Sequence, residues 1–218
     1  TTRVCHSKSI VELSERTDVA PKEWKKNPAK YVCLPAIARK LRVSLEERLD
    51  KLRAYSETTP FNRVEMGDTK VGVIASGICY YYAKEVFGED ASYLKLGFTN
   101  PLPANLIRDF CSKVDKVYVL EENDPYIEEF VKQQGCECTG KDLFPYTGEM
   151  TPDVIRQCIT GKPNKVMDFD RSKLIGRAPT FCAGCPHRGL FYRLGKRKDI
   201  MISGDIGCYT LAAGKPYS

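Results

Sequence analysis

Between Val71 and Gly161 short apolar runs alternate with longer amphipathic ones, and no other feature constrains the fold as strongly. Val71 to Ala75, Tyr93 to Leu96 and Val117 to Leu120 have the length and β-branched or aromatic content of buried strands. Tyr80 to Phe87 follows the first as a helix, with Gly77 turning the chain, and Leu106, Ile107, Phe110 and Val114 share one helical face after the second. After the third, Asp124 and Pro125 supply an N-cap and a first helical residue for Ile127, Phe130 and Val131, and Gly135 ends that helix. Cys136 to Thr139 forms a last short strand, and Thr151-Pro152 starts a helix through Ile155 and Ile159 that stops at Gly161. Strands separated by helices imply an α/β domain with a mostly parallel sheet covered on both faces, spanning 71–165.

The flanks read differently. Residues 1–20 are too short and polar to fold alone, so Val4 to Leu13 reads as the closing element of an upstream domain. Residues 21–70 form a helical linker, with Pro35 starting one helix and a Ser44/Glu47 capping box starting another. Polar, turn-rich residues 166–178 form a second linker. A new α/β unit begins in 179–218, with a cysteine loop, a helix through Leu190 and Leu194, a strand at Ile200 to Ile202 and a turn at Gly204 to Gly207. The chain opens on Thr1 and stops at Ser218 just after this turn, so a longer parent chain is expected.

With 42% hydrophobic and 28% charged residues the chain is globular and not disordered. No apolar run reaches the roughly 20 residues that span a bilayer, and no signal peptide opens it, so the expected compartment is the cytoplasm and no membrane partner is expected. Net charge alternates along the chain: +5 over 1–70, −6 over 71–170 and +7 over 171–218. The basic last unit suits phosphates, a cluster or an acidic partner; it lacks the stacking platform of a nucleic-acid reader.

The ten cysteines read as thiols, because nothing directs the chain to an oxidising compartment. Seven of them (Cys5, Cys33, Cys79, Cys111, Cys136, Cys138 and Cys158) lie among apolar residues and read as small buried hydrophobes. Cys182, Cys185 and Cys208 form a pattern. Two thiolates three apart on a glycine-containing loop can reach one metal or two corners of one cluster, and Cys208, on a later glycine-flanked loop, can fold back onto them. Spacing alone leaves an iron-sulfur site, a zinc site and ordinary thiols all open. A thioredoxin-like pair leaves Cys208 unexplained.

The string Cys182-Ala-Gly-Cys185-Pro-His187-Arg188-Gly-Leu-Phe-Tyr, followed by Gly204-Asp205-Ile-Gly-Cys208-Tyr-Thr-Leu, is similar to the signature of indolepyruvate ferredoxin oxidoreductase alpha subunits, within the 2-oxo acid ferredoxin oxidoreductases. Asn100-Pro-Leu-Pro, the run from Val119 through Glu121 and Glu122 to Glu128, and Gly140-Lys-Asp-Leu-Phe-Pro with Gly148-Glu149 resemble that family's transketolase C-terminal-like domain. The opening run from Arg3 to Leu13 resembles the close of its pyrimidine-binding domain.

The resemblance implies oxidative decarboxylation of aryl pyruvates on thiamine diphosphate with magnesium, electrons leaving through [4Fe-4S] clusters to ferredoxin and the acyl group going to coenzyme A. It also implies a beta subunit as partner. It makes 179–218 the incomplete start of the pyrophosphate-binding domain, and makes Cys182, Cys185 and Cys208 three of the four ligands of the cluster nearest the thiamine, with the fourth beyond Ser218. It places His187 beside the thiamine as a donor or acid-base group, against a loop histidine that merely orients its backbone. Arg188 is a candidate for a phosphate or carboxylate. Asp205 sits in a Gly-Asp sequence like that of the magnesium-diphosphate motif, but the completing Asn is missing, so a turn-shaping role is favoured. Glu121 and Glu122 stand where an α/β sheet carries ligand contacts, with helix capping or salt bridges as the other explanation. On this reading the segment alone is inactive. The competing class is a self-standing metal-binding or protein-interaction module built on the cysteine pattern.

Overall fold

The computed structural model describes residues 10–163, 168, 170–175 and 179–217. The Arg3-to-Ser9 part of the opening motif, with Cys5 and His6, lies outside them. The chain divides into two units, Thr1–Lys165 and Val166–Ser218.

Unit 1 begins with a short helix α1 (Pro28–Tyr31), whose first turn Asn27 caps by accepting from the Lys30 amide at 3.2 Å. A 22-residue helix α2 (Pro35–Ser56) follows. The Ser44/Glu47 pair therefore starts nothing. Pro35 fixes the first turn, and no Gly or Pro interrupts the chain up to Ser56, so propagation continues through Ser44.

Strands β1 (Asn62–Glu65), β2 (Gly72–Ser76), β3 (Ser92–Leu96) and β4 (Val117–Leu120) make one sheet in the order β1-β3-β2-β4. β2 pairs parallel with both β3 and β4, and β1 runs antiparallel along the β3 edge, with Asn62 opposite Leu96. The sheet is thus mostly parallel, as expected. The edge strand β1, within the segment read as linker, was not expected. Asn62 explains it: its side chain donates to the Ser56 carbonyl at 2.9 Å and accepts from the Gly97 and Phe98 amides at 3.0 and 2.9 Å. That tie fastens the end of α2 to the end of β3 and lays the intervening chain along the edge.

Helices α3 (Gly77–Phe87), α4 (Ala104–Cys111), α5 (Tyr126–Gln133) and α6 (Pro152–Thr160) cover the two faces. Cys79, Tyr80 and Ala83 of α3 pack with Ile155 of α6 and Phe144 on Val73, Ala75 and Tyr118. Ile107 and Phe110 of α4 and Ile127 and Val131 of α5 pack on Ile74, Leu94 and Val119. Burial of each such side chain contributes about 1.5–3 kcal/mol. Thr151 caps α6 by accepting from the Val154 amide at 3.2 Å, and Gly161 closes that helix in the left-handed conformation. Cys136 to Thr139 contributes a single parallel bridge, Tyr118 to Thr139, in place of a full strand.

In unit 2, helix α7 (His187–Leu194) and the 3-10 turns Arg171–Lys173 and Cys208–Ala213 are the regular elements among the described residues. The strand expected at Ile200 to Ile202 is not formed there. Ile200, Met201 and Ile202 are exposed, and the described part of the unit offers no strand to pair with them.

Candidate functional site

The cysteine loop of unit 2 is a tight turn. The Cys185 amide donates to the Cys182 carbonyl at 3.2 Å, and Gly184 between them holds φ +71°, which a residue with a Cβ adopts only at a cost. Arg188 locks the loop from the first turn of α7. Its Nε donates to the Cys182 carbonyl at 3.0 Å and its Nη2 to the Phe181 carbonyl. The guanidinium is therefore committed to the two residues that open the motif.

An aromatic cluster brings the second motif to this loop. His187 stacks on Tyr209, centroids 5.3 Å apart and planes 17° from parallel, and meets Phe191 edge-on at 5.8 Å. Phe181 stacks on Phe191 at 5.7 Å and receives the edge of Tyr217 at 5.1 Å. Phe181 and Phe191 are the buried residues at its centre. Such pairs contribute about 0.5–1.5 kcal/mol each beyond area burial. Because Tyr209 follows Cys208 and His187 lies two residues after Cys185, the His187–Tyr209 stack draws the two cysteine loops together. Sequence reading singled out His187 but missed its aromatic partners. The signal was present in part, since His187 and Phe191 are four apart on one helix and Phe181 directly precedes Cys182.

Cys182 and Cys208 are exposed, and Cys185 is half-buried. Among the described residues no three Cys, His, Asp or Glu side chains are gathered closely enough to hold a metal ion. The donor types and the turn suit thiolate ligation; the spacing of the three sulfurs, as it stands, does not complete a coordination sphere. Asp205 is exposed and accepts from the Ile206 amide at 2.7 Å, which makes it a turn-forming residue here. It also borders a cavity of about 430 Å³ lined by Phe191, Arg197, Lys198, Tyr209 and Tyr217.

Unit 1 carries a second concavity, of about 580 Å³, lined by Ser76, Cys79, Thr99, Glu121 and Glu122 among others. It lies beyond the carboxyl ends of β2 and β4, whose following helices α3 and α5 go to opposite faces of the sheet. That is the topological switch point, where open α/β sheets hold ligands. Glu121 is nevertheless occupied. Its carboxylate accepts from the Ile127 and Glu128 amides at 2.8 and 2.9 Å, capping α5 in the place expected of Asp124. Burial raises its pKa against the pull of those amides. Burial likewise pushes the Cys79 thiol up to about 12, so it lines the crevice as a neutral group.

No protein-family model matches the chain. The chain is 36% identical to the indolepyruvate oxidoreductase subunit IorA of Methanothermobacter marburgensis, an alignment covering 100% of this chain and 39% of that protein. Its counterparts in Archaeoglobus fulgidus and Thermococcus kodakarensis are 35% and 34% identical, over 99% of this chain and 38% of theirs. The chain thus spans about two fifths of the length of these curated relatives. A solved 2-oxoglutarate:ferredoxin oxidoreductase from Magnetococcus marinus superposes on 59% of this chain and 24% of its own with 17% identity and a TM-score of 0.43, too loose a likeness to bear on the site. Over 99–100% of its length the chain, sheet unit and cysteine-bearing unit alike, is thus similar to part of the indolepyruvate oxidoreductase subunit IorA.

Proposed function

We propose that this chain is a segment of an oxidoreductase that oxidatively decarboxylates aryl pyruvates such as indolepyruvate, with ferredoxin as electron acceptor and coenzyme A as acyl acceptor. The observation that carries the reading is the similarity of the entire chain to IorA subunits. On this reading residues 71–165 are the transketolase C-terminal-like domain, 1–20 close a pyrimidine-binding domain, 21–70 and 166–178 are linkers, and 179–218 open a pyrophosphate-binding domain. The parent protein works in the cytoplasm with a beta subunit.

Thiamine diphosphate with magnesium and a [4Fe-4S] cluster supply the decarboxylation and one-electron chemistry when bound. For the cluster, the donor chemistry fits: Cys182, Cys185 and Cys208 lie on two loops joined by one aromatic stack. These residues would supply three thiolate ligands, and a fourth would come from outside the 218 residues. Gly184 sets the turn that lets Cys182 and Cys185 face one group, and Arg188 holds the turn shut. The His187 ring, clamped between Tyr209 and Phe191, is oriented at the loop's exit, where it would donate to or accept from a reacting oxygen. For the diphosphate the fit is poorer. Asp205 turns its carboxylate on its own backbone, and Arg188 is spent on carbonyls, so no step is assigned to either.

The test uses the full-length protein with its beta subunit, purified without oxygen. Indolepyruvate-dependent reduction of ferredoxin is expected. Cys182→Ser, Cys185→Ser and Cys208→Ser should each lower iron content and flatten the visible absorption band. The 218-residue segment, reconstituted with iron and sulfide, should show neither turnover nor a stable cluster. Full iron content and turnover in all three variants would refute the assignment, and a self-standing metal module would be indicated by stable metal binding to the segment alone.

A further inference from the structure

Three further thiols lie together in unit 1. Cys111 is the last residue of α4, and Cys136 and Cys138 follow the end of α5; all three are half-buried and pack against the same core. The route by which Cys136 reaches Cys111 is a helix-ending motif. Gly135, at φ +77°, lets its amide donate to the Lys132 carbonyl at 2.9 Å while the Cys136 amide donates to the Val131 carbonyl at 3.3 Å. This double bond pattern folds the chain sharply back and fixes the Cys136 backbone. A tie from α4 holds the same turn, since Arg108 Nη1 donates to Gln134 Oε1 at 2.5 Å. The Cys136 side chain stands beside the Cys111 thiol and helps to raise its pKa. Both line an open cavity of about 380 Å³ with Arg108, Ser112 and Gln134, so a small solute reaches them from solvent.

We propose that Cys111 and Cys136 are a dithiol modification site that closes to an intramolecular disulfide on reaction with a low-molecular-weight disulfide. Burial first, with Cys136 beside it, pushes the Cys111 thiol up to about 12, and burial pushes Cys138 up to about 11, so both are held as neutral thiols. The first attack is assigned to Cys136, since Cys111 is the thiol held neutral beside it. Its thiolate sulfur displaces one thiolate from the small disulfide, forming a mixed disulfide. The Cys111 thiol, giving up its proton to the departing small thiolate, next attacks the Cys136 sulfur and displaces that second thiolate. The two protein thiol protons leave with the two small thiols; the protein loses two electrons and the small disulfide gains them. The product staples the end of α4 to the turn after α5, two helices that cover the same sheet face.

The experiment treats the full 218-residue chain, reduced and freed of reductant, with 2-hydroxyethyl disulfide, blocks remaining thiols and maps peptides without reduction. One cross-link between the peptides carrying Cys111 and Cys136 is expected in most molecules, reversed by dithiothreitol. Cys138→Ser should retain it. Cys111→Ser should stop at a mixed disulfide on Cys136, and Cys136→Ser should leave Cys111 free. Adducts confined to the exposed Cys33, Cys182 and Cys208, or a cross-link involving Cys138 in place of Cys111 or Cys136, would overturn the proposal.

Discussion

Gly140→Ala tests the packing that positions α5 and the crevice beside it. A Cβ on Gly140 meets the buried Glu128 side chain, 2.5 Å from Cδ and 3.0 Å from Cγ. The backbone there has little freedom to move. Thr139 bonds to β4 on both sides, its amide to the Val117 carbonyl at 2.9 Å and its carbonyl to the Val119 amide at 3.0 Å, and the Gly140 carbonyl accepts from Leu143 and Phe144. Glu128 must therefore yield. It then loses the buried Lys141 amide, now 2.7 Å from Oε2, and disturbs the Lys132 contact at 2.6 Å. A hydrogen bond to a buried carboxylate contributes about 1.5–3 kcal/mol, and forcing a methyl into a filled site costs about 1–3 kcal/mol. The Lys132 ammonium is half-exposed, so that pair adds no more than about 1 kcal/mol. The expected loss is about 3 kcal/mol, which moves a urea midpoint down by about 1–2 M for an m-value near 2 kcal/mol/M. Urea titration followed by far-ultraviolet circular dichroism reads it. If the clash is the cause, Gly140→Ala with Glu128→Ala is no less stable than Glu128→Ala alone, because the methyl then enters vacated space. A midpoint shift for Gly140→Ala below about 0.3 M, or full additivity in the double variant, would refute the reasoning.

Glu65 gives a pH dependence. The Tyr80 hydroxyl, at 2.7 and 2.8 Å from its two oxygens, together with Lys84, holds its carboxyl below the ordinary value of 4.5. A lowered folded pKa gives stability that is present above 4.5 and lost as pH falls through the folded value, so Tyr80→Phe should lose stability at neutral pH and show a shallower acid limb in thermal melts. An unchanged acid limb would count against this pairing. Thiol reactivity should also sort by burial: at neutral pH iodoacetamide should label exposed Cys182 and Cys208 well before Cys79, whose thiol is pushed up to about 12, and equal labelling rates in the folded chain would contradict the burial argument.

The parts of the fold legible in the sequence are those with local causes. Val117 to Leu120 is a strand with those bounds, and α6 runs from its Thr151 cap to Gly161, because apolar length, cap and glycine all act within the segment. β1 was not legible, since Asn-Arg-Val-Glu has no strand signature; it becomes a strand through its pairing with β3 and the distant tie of Asn62. The cap of α5 was misplaced for the same reason. Asp124 has the right residue type and position, but Glu121, at the end of β4, reaches the same amides from across the turn. Cys33, read as buried, is exposed, because the apolar residues around it do not pack into the core of the unit.

The candidate site divides along the same line. The residue types at 182, 185 and 208 and the turn they need are local properties, and they were legible. What draws the loops together is the stacking of His187 on Tyr209 around Phe181 and Phe191, a set of contacts between residues whose pattern in the sequence points to metal chemistry and not to packing. The aromatic contacts position the loops without using a single thiol. Cys182 and Cys208 consequently remain exposed and unspent while their backbones are held, which is the arrangement a ligand loop requires if it is to bind a group without refolding. The cysteines of unit 1 follow the opposite logic. Cys79 is consumed by packing, and Cys111 and Cys136 lie half-buried beside each other; among the described cysteines of this unit Cys33 alone is exposed.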